Sequence, residues 1–194
     1  MTTSETGSVV VLFKGGRLPS WHQLSDQERR EFEQTHVDLM LSVSQQHKMS
    51  RLEGFRLIAP QGDWQRFWLI EFPTIEGAES WIRAEMAPPY GLYGYYEYHL
   101  SKPLHPEQYS SWVTNPIPPI IPLPSDPHTV PALRSDTGSV VLLMFAKHRP
   151  GAEALTPAER GHAQHIDLMQ CIARKHGLMR LEGFQLVSPQ ADWH

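Results

Sequence analysis

The sequence predicts an α+β fold built from a βαββαβ unit with an antiparallel sheet, present twice and incomplete the second time. Three observations predict it: an internal repeat with the period of a domain, an alternation of strand-type and helix-type segments inside the repeat, and a block of prolines between the copies. Thr6-Gly7-Ser8-Val9-Val10-Val11-Leu12 recurs as Thr137-Gly138-Ser139-Val140-Val141-Leu142-Leu143. Arg51-Leu52-Glu53-Gly54-Phe55 recurs unchanged as Arg180-Leu181-Glu182-Gly183-Phe184. From 36 to 64, 15 of 29 positions equal the residue 129 positions on, far beyond chance and far longer than a solenoid period. Nine of the 17 prolines fall within 101–137. The organisation is therefore a complete unit over 7–100, a semi-rigid Pro-rich connector over 101–137, and a truncated second copy over 138–194.

Each element of the complete copy has a local cause. Residues 8–14 are β-branched and apolar, a buried strand. Ser25 with Glu28 three residues on is a capping-box pattern. Phe32, His36, Leu39, Met40 and Val43 follow at helical spacing, so 26–48 reads as a long amphipathic helix. Residues 51–59 and 64–73 read as two strands joined by the turn Pro60-Gln61-Gly62-Asp63. Thr74 caps a second helix over 75–86, which Pro88-Pro89 ends. Tyr93 to Leu100 reads as the last strand. This order is the split βαβ arrangement of a ferredoxin-like unit, with both helices on one sheet face. The bare face is expected to be buried against a second copy, in the same chain or in another, which closes a barrel around a cavity.

Copy one continues from Trp64 to about residue 100, whereas copy two reaches only His194. The expectation is a piece of a longer two-copy protein; the alternative is a natural half-copy that borrows strands from elsewhere.

Composition excludes several classes. Seventeen Lys+Arg against 21 Asp+Glu, with no basic block, argues against nucleic acid or an anionic membrane as partner. No apolar run approaches the roughly 18 residues of a transmembrane helix, and the first residues lack a signal peptide's basic and apolar regions. A single cysteine, Cys171, fits a reducing cytoplasm and, at an apolar helix position, reads as a small buried residue. GxGxxG, Walker, CxxC, HExxH and GxSxG motifs are absent. His162 and His165 stand at helical spacing with Asp167 nearby, but no third ligand has a proper spacing; no metal and no cofactor are expected.

The hairpin assigns faces. A turn at 60–63 places odd positions of its first strand with even positions of its second. Arg51, Glu53, Phe55, Leu57, Arg66, Trp68, Ile70 and Phe72 then share the face expected to line the cavity, apolar walls with a few polar groups. Glu53 is the candidate base and Arg66 the candidate anion-binder; a structural ion pair is the alternative. Arg51, Phe55, Trp68 and Tyr95 are candidate ligand contacts. His99, on a strand with four tyrosines, is a second candidate acid or base if Tyr95, Glu97 and His99 face inward; aromatic packing at the barrel seam is the alternative. His36 is a third, against the plainer reading of a hydrogen-bonded histidine at the helix–sheet boundary.

The pattern Trp21-x-x-Leu24-Ser25-x-x-Glu28-Arg29, then Phe67-Trp68-x-Ile70-x-Phe72-Pro73, then Tyr93-Gly94-Tyr95-Tyr96-Glu97 resembles small uncharacterised members of the dimeric α/β-barrel superfamily, near the darcynin-like and YCII-related proteins. The resemblance covers 7–100 and half a unit over 138–194. It implies a small-molecule-binding barrel. One reading is a cofactor-free isomerase or monooxygenase acting on a small aromatic or quinone-like compound. The other is a non-catalytic ligand-binding or association module.

Overall fold

A computed structural model of the chain describes residues 7–61, 64–104, 140–146, 151, 154–156, 158–159 and 161–187. Beyond its first four residues, the connector expected over 101–137 lies outside them. The chain divides into two compact units, and the described residues of the first fall mainly in 7–101.

In the first unit the order is β1 (Val9–Arg17), α1 (Asp26–Gln46), β2 (Arg51–Gln61), β3 (Trp64–Phe72), α2 (Ile75–Glu85) and β4 (Gly94–Pro103), with short 3-10 turns at Pro19–Gln23 and Tyr90–Tyr93. The strands lie in the order β2-β3-β1-β4, each neighbouring pair antiparallel. This is the expected α+β, ferredoxin-like βαββαβ arrangement.

Local chemistry sets the helix starts. Ser25 Oγ accepts from the Glu28 N–H while the Ser25 N–H donates to the Glu28 carboxylate at 2.8 Å, a complete capping box. Thr74 Oγ1 accepts from the Gly77 N–H at the start of α2. The helices bury one face of the sheet: Val9, Val11 and Phe13 of β1 and Ile70 and Phe72 of β3 pack with Met40, Trp81 and Ala84. Val11 and Phe72 are wholly excluded from solvent.

The two strands of the hairpin do not keep one register. Gln61 pairs with Trp64 at the turn, joining odd to even as expected, but a register shift between Arg56 and Gln61 re-phases the rest. From Arg56 back to Arg51 the pairs are Phe55–Phe67, Glu53–Leu69 and Arg51–Glu71, odd with odd. An irregularity in one strand moves every following side chain of its partner to the other face. The expected face is thus corrected: Arg51, Glu53 and Phe55 stay on the face away from the helices, while Trp68, Ile70 and Phe72 turn to the helix core. Arg66 shares their parity and is exposed.

In the second unit, α3 (His162–His176) ends on Gly177 in the left-handed region, a conformation glycine adopts without strain. β5 (Phe184–Leu186) follows, and the Leu104 N–H donates to the Gly183 carbonyl at 2.8 Å. Cys171 is exposed on α3, contrary to the buried position expected, because the solvent-facing side of this helix carries it. Residues 140–146, which repeat the β1 sequence, have no regular structure. Val140 and Leu142 are 77% and 86% exposed, where their counterparts Val9 and Val11 are 7% and 0% exposed. β1 takes its hydrogen bonds from β3 and β4.

Gly54 lies opposite Trp68, and a Cβ at Gly54 would stand 2.5 Å from the indole ring. The ring covers the glycine of an edge strand, which fixes the pair. Gly54→Ala is expected to destabilise the unit by about 1–3 kcal/mol through overpacking, read as a lowered midpoint in chemical denaturation.

Candidate functional site

The sheet face away from the helices carries Val10, Leu12, Phe67 and Leu69 as an apolar floor, all buried. Strand register orders it into rows. Glu53, Leu69, Leu12 and His99 form one row, and Phe55, Phe67, Lys14 and Glu97 form the next. Three inter-strand steps put Glu53 and His99 about 14 Å apart at opposite ends of their row. Glu53 and His99 therefore edge one floor without sharing a reacting centre.

At the β2 edge, Arg51 Nε donates to Glu53 Oε1 at 2.5 Å, with the side chains only 4% and 5% exposed. Residues i and i+2 of an extended strand point the same way, so the guanidinium reaches the carboxylate along its own strand. The same geometry recurs in the other copy: Arg180 Nε lies 2.5 Å from Glu182 Oε1, with side chains 30% and 24% exposed. The expected pairing of Glu53 with Arg66 is not formed, because the register shift sends Arg66 to the other side of the sheet.

At the β4 edge, Glu97 is the hub. Its Oε1 accepts from Lys14 Nζ at 2.8 Å, across the β1–β4 pair, and lies 2.5 Å from His99 Nε2. His99 is 3% exposed. Partial burial would raise the Glu97 carboxyl, but hydrogen bonds from Lys14 and His99 outweigh it and hold the group below the ordinary carboxylate range. Lys14 Nζ also sits 5.0 Å from the Trp64 ring centre, and Trp64 lies 5.7 Å from the Tyr95 ring. Phe55 stacks near Phe67 at 5.9 Å. The sequence points to His99, Tyr95, Glu97 and Phe55 but not to Lys14 as the partner of Glu97. Lys14 sits in the β1 run and gives no local signal; only the β1–β4 register brings it to Glu97.

His36 is elsewhere, on the helix side of the sheet. Its Nε2 lies 3.3 Å from Glu85 Oε2, and both side chains are nearly buried. Its ring stacks on Tyr90 at 3.9 Å, and the Arg17 guanidinium lies 3.6 Å from the centre of the same Tyr90 ring. Burial raises the Tyr96 and Tyr98 hydroxyls, and Glu85 raises both further. Burial also lowers Arg17, with Tyr96 and Glu85 opposing it. Sequence reading placed His36 at the helix–sheet boundary but found neither Glu85 nor Arg17, which lie far from it along the chain. Among the described residues, no group of three or more His, Cys, Asp or Glu is placed to hold a metal, and no helix is long and apolar enough to cross a membrane.

No known family profile and no curated protein matches the chain. Among solved structures, a point mutant of chlorite dismutase from Candidatus Nitrospira defluvii is similar at 12% identity and a TM-score of 0.45, covering 59% of this chain and 51% of that one. Chlorite dismutase from the same organism in complex with imidazole is similar at 13% identity and a TM-score of 0.42, again over 59% and 51%. The chain thus spans about half the length of these proteins.

Two predictions follow from the geometry. Arg51→Met leaves the Glu53 carboxylate buried without its guanidinium and should cost about 3 kcal/mol or more in urea denaturation. Arg180→Met, at the more exposed copy of the pair, should cost about 1 kcal/mol or less. For Glu97 the folded group holds its proton less tightly than the unfolded one. Its contribution to stability is complete above the ordinary value of 4.5 and drains away as pH falls through the lower folded value. The stability gap between wild type and Glu97→Gln should therefore be constant near neutrality and shrink below about pH 4 in denaturation midpoints.

Proposed function

We propose that the sheet face away from the helices binds a small aromatic or quinone-like molecule, and that His99, set by Glu97, moves a proton on it. The observation that supports this reading is the Lys14–Glu97–His99 system, an imidazole held by a carboxylate beside a buried apolar floor. A flat ligand lies against Leu12 and Leu69, with Tyr95 and Phe55 at its rim. The imidazole is suited to removing a proton next to a carbonyl and returning it at another carbon, as a cofactor-free isomerase does. A cofactor-free monooxygenase uses the same first step. A second copy of the unit, in this chain or another, closes the face, and the reaction takes place in the reducing cytoplasm that a lone cysteine suits.

A second reading has its own support. The Arg–Glu pair forms with one geometry in both copies although the two differ in exposure. That is what a folding contact inherited by duplication looks like, and a non-catalytic association module needs nothing more.

The test is turnover of a panel of small aromatic and quinone-like compounds by the whole chain. Under the first reading a hit loses about 100-fold or more in kcat with His99→Ala, and Glu53→Gln, whose carboxylate is about 14 Å away, is affected far less. No turnover across the panel, or a hit indifferent to His99→Ala, leaves the association module.

A further inference from the structure

The proton transfer proposed at His99 leaves one neighbouring residue without a task. Lys14 of β1 stands opposite Glu97 of β4 in the antiparallel register. Its Nζ lies 2.8 Å from Glu97 Oε1, the same oxygen that His99 Nε2 reaches at 2.5 Å. Two nitrogen groups thus meet at one carboxylate oxygen. The Lys14 side chain is 15% exposed, so water screens its charge only in part. The Trp64 ring centre lies 5.0 Å from the same Nζ and holds the ammonium beside the carboxylate.

A carboxylate that faces an imidazole and no other cation favours the imidazolium, because opposite charges at contact stabilise each other. An imidazolium carries a proton on both ring nitrogens and has no lone pair for another. It cannot begin the reaction proposed above. There the ring takes a proton from a carbon beside a carbonyl, the C–H electron pair moves toward the carbonyl oxygen, and the proton returns at another carbon. No oxidant or other co-reactant is consumed. Lys14 opposes the imidazolium twice, by neutralising Glu97 and by its own positive charge. Burial works against the charge on Glu97, and of the two hydrogen bonds that restore it the one from Lys14 weighs more than the one from His99. Along its row His99 meets Leu12 of β1 and Leu69 of β3, both apolar, before Glu53 of β2, which has its own Arg51. One row on, Ser101 of β4 donates to the Val10 carbonyl, and Glu71 of β3 accepts from Ser8. Among the described residues of this face, Lys14 and Glu97 are thus the charged groups nearest to His99.

We propose that Lys14 is a positioning residue for this reaction: it shares the Glu97 carboxylate with His99 and so keeps the imidazole uncharged and ready to take a proton. The inference rests on the proton transfer proposed at His99 and gives it a direction. His99 begins as a base, so the substrate class is a compound with an acidic C–H beside a carbonyl, not one whose leaving group must first be protonated. In this role Lys14 touches neither the substrate nor a reacting atom; it acts through Glu97.

The test is the titration of the His99 ring by NMR in the whole chain, its resonance identified by its absence from His99→Gln. No substrate is needed. Lys14→Met is expected to move the titration midpoint up by about one pH unit, a tenfold change in the ratio of charged to uncharged ring. Lys14→Arg, which keeps the charge, should stay near wild type, and Glu97→Gln, which leaves Lys14 facing the ring alone, should move the midpoint down. A merely structural Lys14 would leave the midpoint of folded Lys14→Met unmoved; that result, or a downward shift, overturns the proposal. If Lys14→Met does not fold, Lys14→Gln is read against the same outcomes. Failure of the wider reading looks different: no compound of the panel is turned over, while the midpoints still move. Where a compound is turned over, the low-pH limb of kcat should rise with the midpoint in Lys14→Met. A limb that stays in place overturns the role of Lys14 and leaves proton transfer at His99 standing.

Discussion

The first unit depends on β1 being paired on both sides. Val10 and Val11 are fully buried, one facing each side of the sheet, so β1 lies within two interiors at once. Its odd residues pack with the helices and its even residues make the opposite floor. Every candidate residue on the sheet takes its face from this strand, through pairs running to β3 on one side and β4 on the other. The repeat shows the dependence from the other direction. Val140-Val141-Leu142-Leu143 is as apolar as Val9-Val10-Val11-Leu12, yet it forms no strand and lies exposed. Strand propensity supplies a surface to pack; the hydrogen bonds must come from neighbours.

What was legible in the sequence is what local chemistry decides. The Ser25–Glu28 box and the Thr74 cap each close within three residues, so a short window contains the whole cause. The helix starts follow, as does the βαββαβ order. The β2–β3 face assignment failed for the opposite reason. The turn pairing of Gln61 with Trp64 has the expected parity, but the irregularity between Arg56 and Gln61, in the stretch that holds Pro60, sends Trp68 and Arg66 to the other side. Likewise the partner of His36 is Glu85 and that of Glu97 is Lys14. Both pairs are joined by packing and register, which no spacing rule reaches.

The sheet also separates two polar systems of different kind. On the side away from the helices, Lys14 and His99 converge on the single carboxylate of Glu97. On the helix side, His36 and Arg17 both lie against the Tyr90 ring, and His36 pairs with Glu85. The first arrangement is the one that the proposed proton transfer uses; the second ties β1, α1 and α2 together around one aromatic ring. Their tyrosines alternate along one strand, Tyr95 facing one system and Tyr96 and Tyr98 the other.

The Arg–Glu pair is the feature that the repeat makes most conspicuous, and it is the weakest guide to function. Arg180 and Glu182 precede β5 in a stretch without strand pairing of its own, yet they meet at the same 2.5 Å as Arg51 and Glu53 in the middle of a sheet edge. A contact that forms in both settings is dictated by the spacing of two residues on an extended backbone. Lys14 behaves otherwise. Its counterpart in the second copy is Phe145, so the cation that completes the Glu97–His99 system has no equivalent there. Where two copies of a unit differ, a residue that folding alone required would more readily have been kept. The proposed role of Lys14 and His99 therefore rests on the β1–β4 register and not on the motif that the two copies share.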